Sequence, residues 1–167
     1  MNAPPVPGTG VDAARFRRVL SHFASGVVVI TGVVEGRPAG MTCQSFTALS
    51  LDPPLVLFCP AKTSTSWPVL ARAPYLCVNV LSSHQGELSE AFARRGADRF
   101  AGVRWTPTAH GAPALDEAAA HIEVRPHERH DGGDHHIVTC RVESLAAQGD
   151  PRPLLYYRSA YHVLGGP

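Results

Sequence analysis

The sequence predicts a mainly β fold with short helices, arranged as a closed or partly open antiparallel barrel with helices at its ends. Two observations lead there. Short apolar or alternating runs bounded by turn residues recur along the chain: "GVVVITGVV", "PLVLFC", "YLCVNVL", the segments around Ile122–Val124 and Val138–Val142, "PLLYYR" and "AYHVL". Helical spacing is confined to three short stretches that do not alternate regularly with these runs, which argues against a doubly wound parallel sheet. About six to eight strands and three helices result, a content that fits an antiparallel barrel. At 167 residues, one domain is expected, and such a chain buries roughly 70% of its unfolded surface without staples.

The elements follow in order. Residues 1–10, with three prolines and two glycines, predict a disordered tail, leaving 11–167 as the domain. In "VDAARFRRVLSHF", Phe16, Val19, Leu20 and Phe23 share one helical face opposite Arg15, Arg17, Arg18 and His22. "GVVVITGVVEGRPAGMT" predicts a hairpin turning at Glu35–Pro38. "PLVLFC" predicts a strand buried on both faces. In "STSWPVLARA", Ser66 is a plausible N-cap and Pro68 suits the first turn. "YLCVNVL" predicts a strand, and "SSHQGELSEAFARR" a helix with a capping box from Ser82 to Gln85 and Leu88, Ala91 and Phe92 inward. The Gly/Pro/Ala-rich residues 96–118 predict loop. Two long half-buried strands flank Gly132-Gly133, and two short strands close the chain.

The formal net charge of +1 provides no general field for nucleic acid. Lys62 is the only lysine beside fourteen arginines. Cys43, Cys59, Cys77 and Cys140 have no C-x-x-C spacing and read as small buried hydrophobes with free thiols, which fits a reducing cytosol. Residues 1–10 lack a basic n-region and an apolar h-region, and no apolar run reaches the ~20 residues of a membrane helix. A soluble, cytoplasmic protein is therefore expected, without a membrane partner.

No P-loop, G-x-S-x-G or H-E-x-x-H occurs, and the glycine pattern "GTGVDA" has no strand before it. Two clusters carry chemistry. "HERHDGGDHH" holds His127, His130, Asp131, Asp134, His135 and His136 at a hairpin turn. These are solvated loop-tip residues, a metal site without any recognised spacing, or, through His135, a group that orients a polar ligand. Around the Pro53-Pro54 pair stand Thr42, Ser45, Thr47 and Ser50 on one side and Lys62, Thr63, Ser64, Thr65 and Ser66 on the other. Turn and cap chemistry explains such hydroxyls. So does phosphate binding, for which "KTSTSWP" offers hydroxyls, a cation and N–H groups before a helix.

"FASGVVVIT", "GMTCQSFTALSLDPPLVLFCP", "KTSTSW", "VNVL", "DRFAG", "GDHHIVTCRV" and "PLLYYRSAY" stand in the order found in short-chain flavin reductases, the reductase components of two-component flavin-dependent monooxygenases. The resemblance spans residues 13–164. It implies a split β-barrel of antiparallel Greek-key type, a homodimer with flavin at the dimer edge, and reduction of FMN or FAD by NADH or NADPH. No metal is implied. By the resemblance, Thr42, Cys43, Gln44, Ser45 and Phe46 border the flavin ring and ribityl chain. Many relatives carry small residues such as Val-Ser where Cys43-Gln44 stand. Cys59, Ala61, Lys62, Thr63, Ser64 and Ser66 hold the flavin phosphate side. Gly133, Asp134 and His135 lie near the nicotinamide, with His135 the catalytic candidate. Asp98-Arg99-Phe100 and Tyr157-Arg158 lie near flavin or cofactor. The variant is most similar to reductases serving aromatic-ring and steroid-ring hydroxylases, so an oxygenase reached by diffusing reduced flavin is the implied partner.

Overall fold

The computed structural model describes residues 10–96, 98–149 and 151–165. Of the expected tail, residues 1–9 lie outside the described residues. Twelve strands and three helices follow in order: α1 (Ala13–Leu20), β1 (Ser25–Gly26), β2 (Val28–Val34), β3 (Arg37–Cys43), β4 (Thr47–Leu51), β5 (Pro54–Phe58), α2 (Trp67–Leu70), β6 (Leu76–Val80), α3 (Gly86–Ala93), β7 (Trp105–Pro107), β8 (Pro113–Leu115), β9 (Ala120–Gly132), β10 (His135–Ala147), β11 (Leu154–Tyr157) and β12 (Ala160–Val163). The chain is mainly β with short helices, as the recurrent apolar runs predict.

Seven strands form one sheet in the order β3-β2-β6-β9-β10-β5-β4, and all its pairings are antiparallel. Its two edge strands, β3 and β4, are consecutive in the chain and separated only by Gln44, Ser45 and Phe46. So short a link keeps the adjoining ends of the two edge strands within about 13 Å of each other. Ser45 Oγ binds both the N–H and the C=O of Cys59 at 3.0 Å, fastening the corner after β3 to the end of β5. Accordingly, one buried cluster unites Met41 and Cys43 of β3, Val56 and Phe58 of β5, and Val138 and Cys140 of β10.

The two hairpin turns take the shapes their residues favour. Glu35 and Gly36 both have positive φ, 52° and 75°, so the turn is tighter than Glu35–Pro38 and Arg37 already pairs with Val34. The β9–β10 hairpin turns at Gly133, φ 80°, and Asp134, and His135 pairs with Gly132.

Four expectations need correction. β5 is not buried on both faces: Val56 and Phe58 are buried, Leu55 and Leu57 only half-buried. Period-2 alternation is hidden there because both faces happen to be apolar. At α2, Ser66 makes no side-chain cap; Ser64 Oγ instead accepts from the Ser66 and Trp67 N–H groups. α3 starts at Gly86, four residues after Ser82, although Gln85 Oε1 does reach back to the Ser82 N–H at 3.0 Å. Finally, residues 96–118 are not all loop, because they include the β7–β8 hairpin.

That hairpin is pinned by buried polar side chains of the main sheet. Asn79 Oδ1 accepts from Leu115 N at 2.7 Å, while Thr31 Oγ1 donates to Pro113 O. The fully buried Glu123 carboxylate accepts from Thr108 Oγ1, from His110 N at 3.0 Å and from Ser144 Oγ at 3.4 Å; His110 Nδ1 is 3.1 Å away. Burial pushes the Glu123 carboxyl up, but the bonds from Thr108 and His110 outweigh it and hold it below its usual range. A depressed folded pKa stabilises above the unfolded value, about 4.3, and is lost as pH falls through the lower folded one. Thermal melts of wild type and Glu123→Gln across pH 3–7 should therefore differ most above pH 5 and converge at the acid end.

On the apolar face of α1, Phe16, Val19 and Leu20 are more than half exposed (55%, 56% and 53%), and Phe23 just beyond it is 81% exposed. Leu51 on edge strand β4 is 96% exposed.

Candidate functional site

A cleft of about 580 Å³ opens where the β3–β4 corner, the segment after β5, α3 and the tip of the β9–β10 hairpin meet. Its lining includes Met41, Thr42, Cys43, Gln44 and Ser45 on one wall and Cys59, Pro60, Ala61, Thr63, Ser64, Thr65 and Ser66 on another. Phe92, Ala93, Arg95, Arg99, His135, Tyr156 and Tyr161 complete it.

The wall from β3 is an exposed backbone edge. Arg99 Nη1 donates to Gly40 O at 3.0 Å, so Gly40 turns its backbone groups away from β2. Antiparallel alternation turns those of Thr42 the same way. Gly40 is glycine for space: a Cβ there would lie 2.5 Å from the buried Phe92 ring. The Thr42 hydroxyl is committed to Ser89 O at 2.5 Å, and that of Ser45 to Cys59. Cys43 is buried, with Sγ 3.2 Å from Ser45 Oγ, and its burial pushes the thiol pKa up.

On the opposite wall, Ser64 Oγ caps α2, whereas the hydroxyls of Thr63 and Thr65 carry no hydrogen bond to another side chain among the described residues. Arg99 is the fixed cation. Its Nη2 reaches Arg94 O at 2.6 Å, its Nε the same oxygen at 2.9 Å, and its Nη1 also meets Ser66 Oγ. Burial pulls this guanidinium below its ordinary pKa. Arg95 is exposed and makes no ion pair among the described residues.

The hairpin tip is docked onto the segment after β5. Lys62 N donates to Asp134 O and His136 N to Pro60 O, both at 2.9 Å, and Ala61 bridges His135. His135 Nδ1 lies 2.7 Å from Asp134 Oδ1, which holds the Asp134 carboxyl below its usual range. Lys62 does not line the cleft. Its ammonium sits 2.8 Å from Asp131 Oδ1 and lowers that carboxyl's pKa. An exposed ion pair of this kind is screened by solvent and contributes little. Lys62→Ala is accordingly expected to raise the flavin KM by no more than a few-fold, measured by initial rates at saturating NADH.

Of the residues singled out in the sequence, Thr42, Cys43, Gln44, Ser45, Cys59, Ala61, Thr63, Ser64, Ser66, Arg99 and His135 meet in this cleft. Phe46 packs against the core, and Phe100 packs against a second cluster with Phe92. Gly133 and Asp134 form the turn behind His135. Tyr157 and Arg158 stand outside: Arg158 N bonds Ser21 O at 3.0 Å, and Tyr157 lies edge-on to His22. The tyrosines that do line the cleft are Tyr156 and its cross-strand partner Tyr161, ring centroids 5.5 Å apart. Sequence reading also passed over Arg95 and Phe92. Strand alternation from buried Leu154 points Tyr156, and not Tyr157, inward. In the His-rich turn, His130 Nε2 is 3.1 Å from Glu128 Oε2. Among the described residues no group of three or more His, Cys, Asp or Glu side chains is arranged to hold a metal ion.

The family model for the flavin reductase like domain matches residues 20–165. The reductase subunit HsaB of a flavin-dependent monooxygenase from Rhodococcus jostii is 47% identical over 156 residues, spanning 93% of this chain and 80% of that protein. Among solved structures, a homologue of nitrilotriacetate monooxygenase component B from Mycobacterium thermoresistibile superposes with a TM-score of 0.88 at 48% identity, covering 91% of this chain and 86% of that one. The NADH:FAD oxidoreductase SgcE6 of Streptomyces globisporus, solved with NAD and FAD fragments, superposes with a TM-score of 0.87 at 34% identity, covering 92% and 93%. The motifs that resemble flavin reductases thus lie in a chain that matches them along nearly its whole length, and the chain belongs to the flavin reductase like domain family.

Proposed function

We propose that this protein is an NAD(P)H:flavin oxidoreductase that reduces free FMN or FAD in the cleft and releases it to an oxygenase partner in a two-component monooxygenase system. Aromatic-ring or steroid-ring hydroxylation is the implied destination. One observation carries the reading. The cleft combines aromatic walls (Phe92, Tyr156, Tyr161), a backbone edge at Thr42, a hydroxyl row at Thr63–Ser66 and a fixed Arg99 in one open space of about 580 Å³. That is the donor set and size a flat polar ring with a phosphate tail requires.

Flavin held in the cleft would supply the redox chemistry, as acceptor of a hydride from the nicotinamide nucleotide. The chain's residues supply position and charge. The outward backbone of Thr42 offers an N–H to the ring edge that gains negative charge, a role needing no acidic residue. Thr63, Thr65 and Arg99, which line the cleft, would hold the phosphate. His135, braced by Asp134, lines the cleft, where it would orient the nicotinamide ring for hydride transfer. An open cleft suits a flavin that leaves after reduction.

The finer architecture belongs to the same proposal. One domain, 11–167, curls the seven-stranded sheet into a split barrel whose edges β3 and β4 meet at the 44–46 corner. The return of β6 beside β2, after β4 and β5 have joined the far edge, is its Greek-key element. A homodimer covers the exposed Phe16, Val19 and Leu20 face of α1 and the flavin's open side. Sedimentation should give a dimer at micromolar concentration; a fully active monomer would contradict this. A cytoplasmic setting accords with four free thiols.

The functional reading is tested by NADH oxidation at varied flavin. Free flavin should behave as a saturable substrate. A rate independent of added flavin would mean a flavoenzyme passing electrons to another acceptor; no oxidation at all would mean a binding module.

A further inference from the structure

Two of the four free thiols meet in the cleft, and hydride transfer uses neither. Cys43 ends β3 and Cys59 follows β5, so the fold brings them together from opposite sides of the sheet order. One hydroxyl joins them. Ser45 Oγ lies 3.2 Å from Cys43 Sγ, accepts from Cys59 N and donates to Cys59 O, both at 3.0 Å. Ser45 is thus the spacer between the Cys43 sulfur and the Cys59 backbone, and the same hydroxyl fastens the 44–46 corner to the end of β5.

The four thiols differ in what they can do. Cys77 and Cys140 are fully buried, and burial pushes both up to about 12, so neither forms a thiolate near neutral pH. Burial also raises Cys43; hydrogen bonds from Ser45 and from the Cys59 N–H offset only part of this, and the neighbouring Cys59 thiol adds to the rise. Cys59 is only half-buried, on the wall of an open cleft. One thiol is therefore within reach of a small oxidant, and a second, shielded from solvent, adjoins it. That is the arrangement of a reacting and a resolving cysteine. The oxidant rests on the flavin reading above: reduced flavin that meets dioxygen instead of an oxygenase is reoxidised, and dioxygen becomes hydrogen peroxide.

We propose that Cys59 and Cys43 are a peroxide-sensing pair whose intramolecular disulfide shuts the cleft to flavin. A Cys59 thiolate attacks hydrogen peroxide. The S–O bond forms, the O–O bond breaks, and the hydroxide released takes up a proton and leaves as water; sulfur is oxidised by two electrons and peroxide is reduced. The Cys43 sulfur then attacks the sulfenic sulfur. The S–S bond forms, the S–O bond breaks, and hydroxide leaves with the Cys43 proton as a second water. A disulfide at this place displaces the Ser45 hydroxyl, so the corner is no longer held to β5 and the cleft wall from Thr42 to Ser45 shifts. Peroxide made from unclaimed reduced flavin thereby stops its own production, and a thiol reductant restores the protein.

The test treats reduced, desalted protein with hydrogen peroxide, removes the excess with catalase, and reads intact mass, peptide map and rate. The mass should fall by two hydrogens. Chymotrypsin, which cuts after Phe46 and Phe58, should release the Cys43 and Cys59 peptides joined, while Cys77 and Cys140 stay open to alkylation after unfolding. NADH-dependent flavin reduction should fall about tenfold or more, the scale of a displaced positioning segment, and return with dithiothreitol. In Cys59→Ser no disulfide should form, and that variant's rate should be the same before and after peroxide. In Cys43→Val a dimedone adduct should mark a sulfenic acid at Cys59. Four alkylatable thiols after peroxide, oxidation of Cys59 that never joins Cys43, or a bond between two chains on a non-reducing gel would overturn the proposal. So would an intramolecular disulfide with an undiminished rate. If the untreated protein reduces no flavin, the flavin reading fails by itself, and the peptide map still decides whether the pair closes.

Discussion

Replacing His135 with alanine is expected to slow flavin reduction by about 100-fold, the scale of a lost near-attack geometry. His135 lines the cleft, its Nδ1 is 2.7 Å from Asp134, and its backbone is tied to Ala61. The imidazole is thus held at the mouth of the site on a docked hairpin. His136 is the internal control. It is the next residue on β10, it does not line the cleft, and its N–H to Pro60 O bond survives truncation of the side chain. Stopped-flow reduction should therefore separate the two variants, with His136→Ala near wild type and flavin affinity preserved in both. Equal damage from both would mean that the hairpin acts through stability. An unchanged rate in His135→Ala would return it to a solvated loop-tip residue.

The second large effect is expected at Arg99. Arg99→Ala removes the fixed cation of the cleft and leaves Gly40 O and Arg94 O without their donor. A charge-assisted hydrogen bond contributes about 1.5–3 kcal/mol, so the flavin KM should rise about 10- to 150-fold. The NADH KM should move far less. Arg99→Lys should recover little, because an ammonium cannot span Gly40 O, Arg94 O and Ser66 Oγ with the planar fork that Arg99 uses. A Lys62→Ala loss larger than that of Arg99→Ala would contradict this ranking of the two cations.

Much of the fold could be read from local signals. Glu35-Gly36 and Gly133 mark their hairpins because the turns need positive φ, and the buried strand Leu76–Val80 is apolar except at Asn79. The β7–β8 hairpin was not legible. Its strands are three residues each, and they are held by Asn79, Thr31 and Glu123 from other strands, so no pattern within 96–118 records them. The same distinction divides the site. The residues from Thr42 to Ser45 and from Thr63 to Ser66 converge because the short 44–46 link joins β3 to β4 and Ser45 fastens it to Cys59 at the end of β5. The single lysine looked like the phosphate cation, yet its partner Asp131 lies 69 residues away in sequence and takes up its charge. Tyr156 and Tyr161 differ from the residues first singled out by strand parity, which the buried Leu154 anchors. Arg95 carries no sequence motif, and only the proximity of α3 to β3 brings it to the cleft.

The central claim is that flavin is a substrate turned over in this cleft and released, and anaerobic reduction tests it most directly. A catalytic amount of protein is mixed with a large excess of free flavin and NADH, with oxygen removed so that reduced flavin accumulates. The account predicts bleaching of many equivalents of flavin per chain, at a rate proportional to protein and abolished to about the same degree in His135→Ala as in the stopped-flow experiment. Bleaching that stops at one equivalent per chain would contradict it, because the flavin would then be held and not released.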